Sequence, residues 1–354
     1  MTGKLMIYGA TGYTGKLTAE TAKAQGLDVV LAGRSAEKVA AVAKRLSLPH
    51  RAFSLDDASV IDAAISDVSA VLHIAGPFSA TSKPMADACL RRKKHYLDIT
   101  GEISVFEALA ARDAEAKKAG IVLMPGVGFD VVPSDCLAAH MKRRMHDAVF
   151  LKISIQGLGG LSRGTMKTMI EGIGKGTPVR KNGKITPMPH PPRGKEDFGS
   201  GPVSTAGVGW GDVSTAYHTT GIPNIACFFA TTPDMERMLG VPGFIQKFMA
   251  WGPMQRFLKS RVDRMPEGPS AEVRRTGRSI LVGEARNAKG DIVRTRLTTP
   301  EGYALTALTA LRSAARVMAG EVPAGFKTPG GAFGPDYILS FDGTTREELN
   351  AVAA

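Results

Sequence analysis

With 354 residues, 44% of them hydrophobic and 22% charged, the chain has the composition of a globular protein with room for two domains. No apolar run approaches the ~18 residues that span a bilayer, and the three scattered cysteines form no Cys-x-x-Cys pair, which argues against a disulfide framework or a structural zinc and fits a reducing compartment. The net charge of +12 is uneven: residues 140–300 hold 25 Lys and Arg against 12 Asp and Glu, while the remainder holds 20 against 21.

The chain opens with an apolar run at 4–8 followed by "GATGYTG", residues 9–15. Strand, glycine turn and helix in that order form the first unit of a dinucleotide-binding fold. Gly9 allows the tight turn, Gly12 lets backbone approach a diphosphate, and Gly15 lets the helix lie close to the sheet. Thr11, Tyr13 and Thr14 share this turn and are expected to face the cofactor with it. The motif starts so near Met1 that no signal or transit peptide is expected, and a cytoplasmic location follows.

Further apolar runs at 28–32, 69–74 and 121–124 alternate with Ala-rich segments of helical spacing at 36–46, 82–93 and 104–119. Alternation of this length predicts parallel strands with crossover helices, hence an α/β, Rossmann doubly wound parallel sheet. The second strand ends "LAGRS", without the carboxylate that grips a ribose 2′-hydroxyl. Arg34 and Ser35 stand there instead, and a guanidinium pairs with a 2′-phosphate, so NADP(H) is expected over NAD(H). Beyond the next two strand ends, "AGPF" (Ala75, Gly76, Pro77, Phe78) and "YLDITGE" place Thr100 and Gly101 at the cofactor groove. Asp98 is either part of that groove or a tie for its loop.

After "MPGVGFDVVPSD" (124–135) glycine and proline become frequent. Alternating segments at 149–156, 272–285 and 291–298 predict a mixed or antiparallel sheet in a second, α+β substrate domain. Residues 176–205, rich in proline and charge, read as a long loop. "DVSTAYHTTG" reads as an alternating strand carrying Tyr217 and His218. Residues 241–262 combine Phe244, Phe248, Trp251, Phe257 and Leu258 with Lys247, Arg256, Lys259 and Arg261. This is a basic amphipathic helix pair that would lie on a membrane, cover an acyl pocket or pack on the core. A clean amphipathic helix occupies 302–319 and ends at Gly320.

The candidate chemistry narrows by exclusion. None of the six tyrosines is followed four residues on by lysine, which removes the Tyr-x-x-x-Lys proton donor of short-chain reductases. Cys136 falls on the inner face of a helix near Pro133, unsuited to a nucleophile, and the seven histidines are too dispersed for a metal site, so no metal is expected. Gly128 and Asp130 leave the last strand of the first domain toward the nicotinamide. Asp130 is a candidate acid or a tie for the turn before Pro133; Tyr217 and His218 are the other candidate proton donors. The basic middle of the chain suits an acidic partner: a CoA or phosphopantetheine substrate, an acidic carrier protein or an anionic lipid surface. Its charges carry no nucleic-acid-reading motif, and no nucleic-acid partner is expected.

With these residues in hand, the chain resembles the saccharopine dehydrogenase-like family, in the branch that includes bacterial trans-acting enoyl reductases and the saccharopine dehydrogenase-like oxidoreductases of animals. The stretches that carry the resemblance are "GATGYTG", "LAGRS", "AGPF", "YLDITGE", "PGVGFDVVPSD", "GDVSTAYHTTGIPN", "TPEGYALTA" and "TPGGAFGPDYI", in order along nearly the whole chain. The resemblance implies an NADP-binding domain over 1–128 and a basic substrate and dimerisation domain over 129–300. It also implies a helix and tail over 301–354 that pack back on the first domain, and a homodimer. The activity it implies is an NADP(H)-dependent oxidoreductase, reducing an enoyl thioester or related acyl substrate. The alternatives are oxidoreduction at an amino-acid C–N bond, as in the namesake activity, and a lipid- or carrier-associated NADP-binding protein with little catalysis.

Overall fold

Short runs of two to five residues, most of them rich in Val, Ile and Leu, form the first sheet, and helices cover both its faces. The structure, a computed structural model, describes residues 3–157, 162–172, 176–239, 249 and 251–349. By internal contacts the chain divides into one unit of residues 1–136 with 303–341 and a second of 137–302 with 342–354.

In the first unit, strands numbered in chain order are β1 (Leu5–Tyr8), β2 (Val29–Gly33), β3 (His50–Ala52), β4 (Ala70–His73), β5 (His95–Asp98), β6 (Val122–Met124) and β15 (Gly325–Phe326). All pairings are parallel, in the order β15-β6-β5-β4-β1-β2-β3. Because side chains alternate across a strand, each face collects its own core. Leu5, Ile7, Leu31 and Leu72 pack with Ala19, Ala22 and Val39, and with Ala310, Leu311, Ala314 and Val317 of the helix Gly302–Met318. Met6, Val30, Val71 and Tyr96 pack on the opposite side with Ile61, Met85, Cys89, Val105 and Leu109. The strand order reverses between β1 and β4, which opens a crevice at the carboxyl ends of those strands.

The second unit holds a mixed sheet of β7 (Ala148–Gln156), β8 (Thr177–Lys181), β9 (Lys184–Met188), β10 (Arg193–Asp197), β11 (Pro202–Val208), β12 (Asn224–Ala230), β13 (Arg278–Asn287), β14 (Ile292–Pro300) and β16 (Thr345–Leu349). Its main path is β10-β11-β12-β7-β13-β14-β16; among the described residues only β12 and β7 run parallel. Leu137 and Met141, from the helix Val132–Arg144, approach so near Gly283 that a Cβ there would stand 3.1 Å from each. On the other face Lys152, Ser154 and Arg294 surround the buried Glu196, with Lys152 Nζ 2.9 Å from its carboxylate.

Four expectations need correction. Residues 176–205 are not a loop but form two hairpins. In the first, Asn182 and Gly183 both have positive φ (50° and 77°), the turn that suits an Asn-Gly pair between antiparallel strands. Pro187 is tolerated because, among the described residues, β9 pairs only with β8, and Pro178 lies away from the β8–β12 bridge at Arg180 and Ile225. Residues 212–220 form the helix Asp212–Thr220, not a strand. The run from Asp212 to Ala216 is buried on all sides, so packing overrides the strand preference of its Val and Thr, and Gly221 at φ 71° ends the helix. The alternating stretch 272–285 begins as the helix Ala271–Thr276, because Ser270 caps it by accepting from Val273 N; the strand starts at Arg278. Finally, the tail beyond 341 leaves the first unit, and β16 extends the second sheet along β14. Of the amphipathic stretch at 241–262, residues 241–248 and 250 lie outside the described residues, and Gly252–Val262 is helical.

Candidate functional site

The carboxyl edge of the first sheet gathers most of the residues singled out in the sequence. Gly9 has φ +97°, and a Cβ on it would stand 2.7 Å from the backbone of Ile74. A Cβ on Gly15 would stand 2.1 Å from the carbonyl oxygen of Gly9, so only glycine lets the helix Tyr13–Ala24 begin there. Gly12 differs: it is exposed, and a Cβ would meet nothing nearer than 3.6 Å. It serves as the helix N-cap, with no side-chain cap and no acidic residue in the first turn. This open, positive helix end fits a diphosphate. Tyr13 packs edge-on against Tyr303, ring centroids 5.2 Å apart.

Arg34 follows β2 and is exposed, and Ser35 caps the helix Ala36–Leu46 through its hydroxyl. Thr11 reaches toward Gly33 at the same corner. Beneath it, burial raises the phenol of Tyr8, while the charge of Arg34 acts in the opposite sense. The residues present therefore fit a dinucleotide with a 2′-phosphate: a bare helix terminus for the bridge and a free-standing guanidinium one strand over.

On the other side of β1, the loop Ala75–Phe78 follows β4 and includes a cis Gly76-Pro77 peptide. It leads into the helix Phe78–Arg92, which Pro77 cannot cap with a side chain. Glu102 does so from the neighbouring loop: its Oε1 accepts from Phe78 N at 2.7 Å and its Oε2 from Ser79 N at 2.9 Å. Asp98, fully buried at the end of β5, proves to be the loop tie. It accepts from Tyr96 OH, Thr100 N and Gly126 N at 2.8, 2.9 and 3.0 Å, and burial still pushes its carboxyl up to about 6.

The turn after β6 is held from the helix Gly302–Met318. Thr306 Oγ1 accepts from Phe129 N at 2.9 Å, and Thr309 donates to the Val127 carbonyl at 2.8 Å. Gly128 is closely packed here: a Cβ would come within 3.1 Å of the Thr306 methyl and 3.2 Å of Ile99 Cβ. Next in the turn, the partly buried Asp130 places its Oδ2 3.1 Å from where a Cβ on Gly101 would be. Burial of the carboxyl pushes it up to about 7. A carboxylic acid half-protonated near neutrality, beside the loops expected to hold the nicotinamide, has the properties of a proton donor. Two other matched stretches meet nearby: Gly330 N donates to Asp135 Oδ2 at 2.7 Å.

The remaining candidates belong to the second unit. Tyr217 sits in the last turns of the helix Asp212–Thr220, with the Arg180 guanidinium over its ring at 4.1 Å, and His218 is exposed beside it. Tyr217 is thus engaged in packing the β8–β9 hairpin. The sequence reading passed over Glu102, Tyr303, Thr306 and Thr309. For Glu102 a signal existed, the every-second-residue series Tyr96, Asp98, Thr100, Glu102; for the threonines none did, because their partners lie some 180 residues away.

Residues 5–124 match the model of the saccharopine dehydrogenase NADP-binding domain. The trans-acting enoyl reductase of Mycobacterium tuberculosis (strain H37Rv) is 33% identical over 149 residues, covering 40% of this chain and 35% of that protein. That of Mycobacterium leprae is 31% identical over 149 residues, covering 40% and 36%. The matched region therefore spans about a third of the length of these curated relatives. Among solved structures, saccharopine dehydrogenase (L-Glu forming) from Saccharomyces cerevisiae superposes with a TM-score of 0.64 at 12% identity, covering 98% of this chain and 100% of that one. Homospermidine synthase from Legionella pneumophila, solved with NAD, gives 0.59 at 11%, covering 96% and 89%. These two likenesses are of fold.

Proposed function

We propose that this chain, whose residues 5–124 form an NADP-binding domain of saccharopine dehydrogenase type, is an NADP(H)-dependent oxidoreductase that reduces a C=C bond conjugated to an acyl carbonyl. The observation that carries the reaction is Asp130, a carboxyl raised to about 7 among the loops of the cofactor edge. The mycobacterial relatives, named for enoyl reduction, support the substrate class.

When bound, NADPH supplies a hydride to the β-carbon of the substrate. The chain's own residues do the rest. The uncapped terminus at Gly12–Gly15 binds the diphosphate, Arg34 pairs with the 2′-phosphate, and the loops 75–78 and 98–101 orient the nicotinamide half. Asp130, in its acid form, passes its proton to the α-carbon, where the electron pair of the former double bond collects. The carboxylate so formed regains a proton from solvent before the next turnover. Backbone amides of the same loops steady the enolate oxygen.

The test is a panel of trans-2-enoyl-CoA thioesters with NADPH and NADH side by side, and lysine with 2-oxoglutarate as the C–N alternative. NADPH consumption with formation of the saturated thioester is expected. Turnover only with the amino-acid pair, or none with any substrate, overturns the reading.

A second, compatible reading concerns where the substrate is met. At the N-cap of the helix Gly252–Val262 and on the helix, Trp251 and Phe257 are 58% and 55% exposed, with Arg256, Arg261 and, in the turn after it, Arg264 also exposed. Aromatic and basic side chains on one exposed segment favour an anionic lipid surface. Co-sedimentation with phosphatidylglycerol vesicles but not phosphatidylcholine vesicles supports it, and equal recovery with both removes it.

A further inference from the structure

Two helix N-termini stand at the cofactor edge, and they differ in what fills them. The helix Tyr13–Ala24 has no side-chain cap and no acidic residue in its first turn. The helix Phe78–Arg92 is closed from within the protein, because both carboxylate oxygens of Glu102 accept its first two amides. An anionic ligand is therefore directed to the first terminus and kept from the second.

Glu102 is itself held in place. Its N–H donates to Thr100 Oγ1 at 3.0 Å, Thr100 N donates to Asp98 Oδ1, and Tyr96 OH donates to Asp98 Oδ2. Alternate residues of one strand end thus form a rigid arm that ends in a bidentate carboxylate. The loop 75–78 is also held from below. Thr81 donates to the Ala75 carbonyl at 2.6 Å, so its hydroxyl oxygen is left to accept from His73 Nε2 at 2.9 Å. His73 is buried and neutral, its imidazole pushed down to about 3, which fits a fixed Nε2–H donor.

We infer that Glu102 is a positioning residue for the nicotinamide half of the cofactor, an inference that rests on the NADP reading above. The topology specifies which half. The bridge lies over β1, Arg34 stands beyond β2 on one side, and the Glu102-held loop stands beyond β4 on the other. Loosening that loop leaves the adenosine end untouched.

The test compares two ligands by fluorescence or calorimetric titration, without substrate. NADPH carries both halves; 2′,5′-ADP carries only the adenosine end. Glu102→Ala is expected to weaken NADPH about tenfold and 2′,5′-ADP by less than about twofold. In the cofactor-free protein, amide exchange at Phe78 and Ser79 should quicken. Sodium acetate, as a replacement carboxylate at the vacated helix end, should slow that exchange and recover NADPH affinity. Should the alanine variant not fold, Glu102→Gln, which keeps one acceptor oxygen, is expected to show the same split at about threefold. Equal weakening of both ligands, or unchanged NADPH affinity in a folded variant, overturns the inference. A wild-type protein that binds neither ligand overturns the functional reading instead.

Discussion

Asp130 carries a pH dependence whose sign follows from its environment. Its carboxyl is raised to about 7, whereas an unfolded chain releases the same proton near the usual carboxylate value of ~4. Between those values the native state holds more protons. The stabilisation this gives is complete below about 4 and is lost as pH rises through about 7. Asp130→Asn should accordingly raise the melting temperature at pH 8 and leave it nearly unchanged at pH 4, as scanning calorimetry would show. If the same carboxyl gives the proton in turnover, wild-type kcat/KM falls above about pH 7. The asparagine variant should lose ~10²–10⁴-fold and that pH limb together. Arg34→Ala is expected to weaken NADPH binding far more than NADH binding, measured by titration; equal losses would remove the 2′-phosphate from the account. The placement of the glycines and Arg34 was legible because each sits within a few residues of a strand end. The packing around Tyr217 was not, because it is set by Arg180, from a hairpin whose pairing partner is remote in sequence.

At the scale of the element, the opening turn separates two roles of glycine. A Cβ at position 15 meets backbone atoms of Gly9 and Ala10 at 2.1 and 2.8 Å, which cannot give way as a side-chain tip would. Gly15→Ala should therefore destabilise the fold by about 1–3 kcal/mol, read by urea unfolding, and abolish NADPH binding with it. Gly12→Ala, with its nearest neighbour at 3.6 Å, should leave the unfolding midpoint in place and lose cofactor affinity alone. The strand-turn-helix units of the first sheet were readable because period and punctuation agree there. They disagree in two places. In 177–188 prolines masked an Asn-Gly hairpin, and in 212–220 strand-forming residues wind into a helix whose first half, Asp212 to Ala216, is fully enclosed.

Across the whole molecule the first unit is built from two separated stretches, 1–136 and 303–341. The second contributes Ala310, Leu311, Ala314 and Val317 to one core face, the short strand β15, and the threonines that fix the turn before Asp130. A protein made of residues 1–136 alone should be partly unfolded by circular dichroism and aggregate. The same residues joined by a short linker to 303–341 should fold and bind NADPH. Two domains were evident from the change in texture after residue 125. The departure of the last strand to the second sheet was not, because "TREEL" has no apolar alternation and owes its place to pairing with β14.

That divided construction also sets an order of events at the ribosome. When residue 136 emerges, the sheet face around Leu5, Ile7, Leu31 and Leu72 still lacks the helix that will cover it, and about 170 residues remain to be translated before that helix begins. At roughly 5–20 residues per second the nascent protein spends on the order of ten to thirty seconds with an oily surface facing water or a holding chaperone.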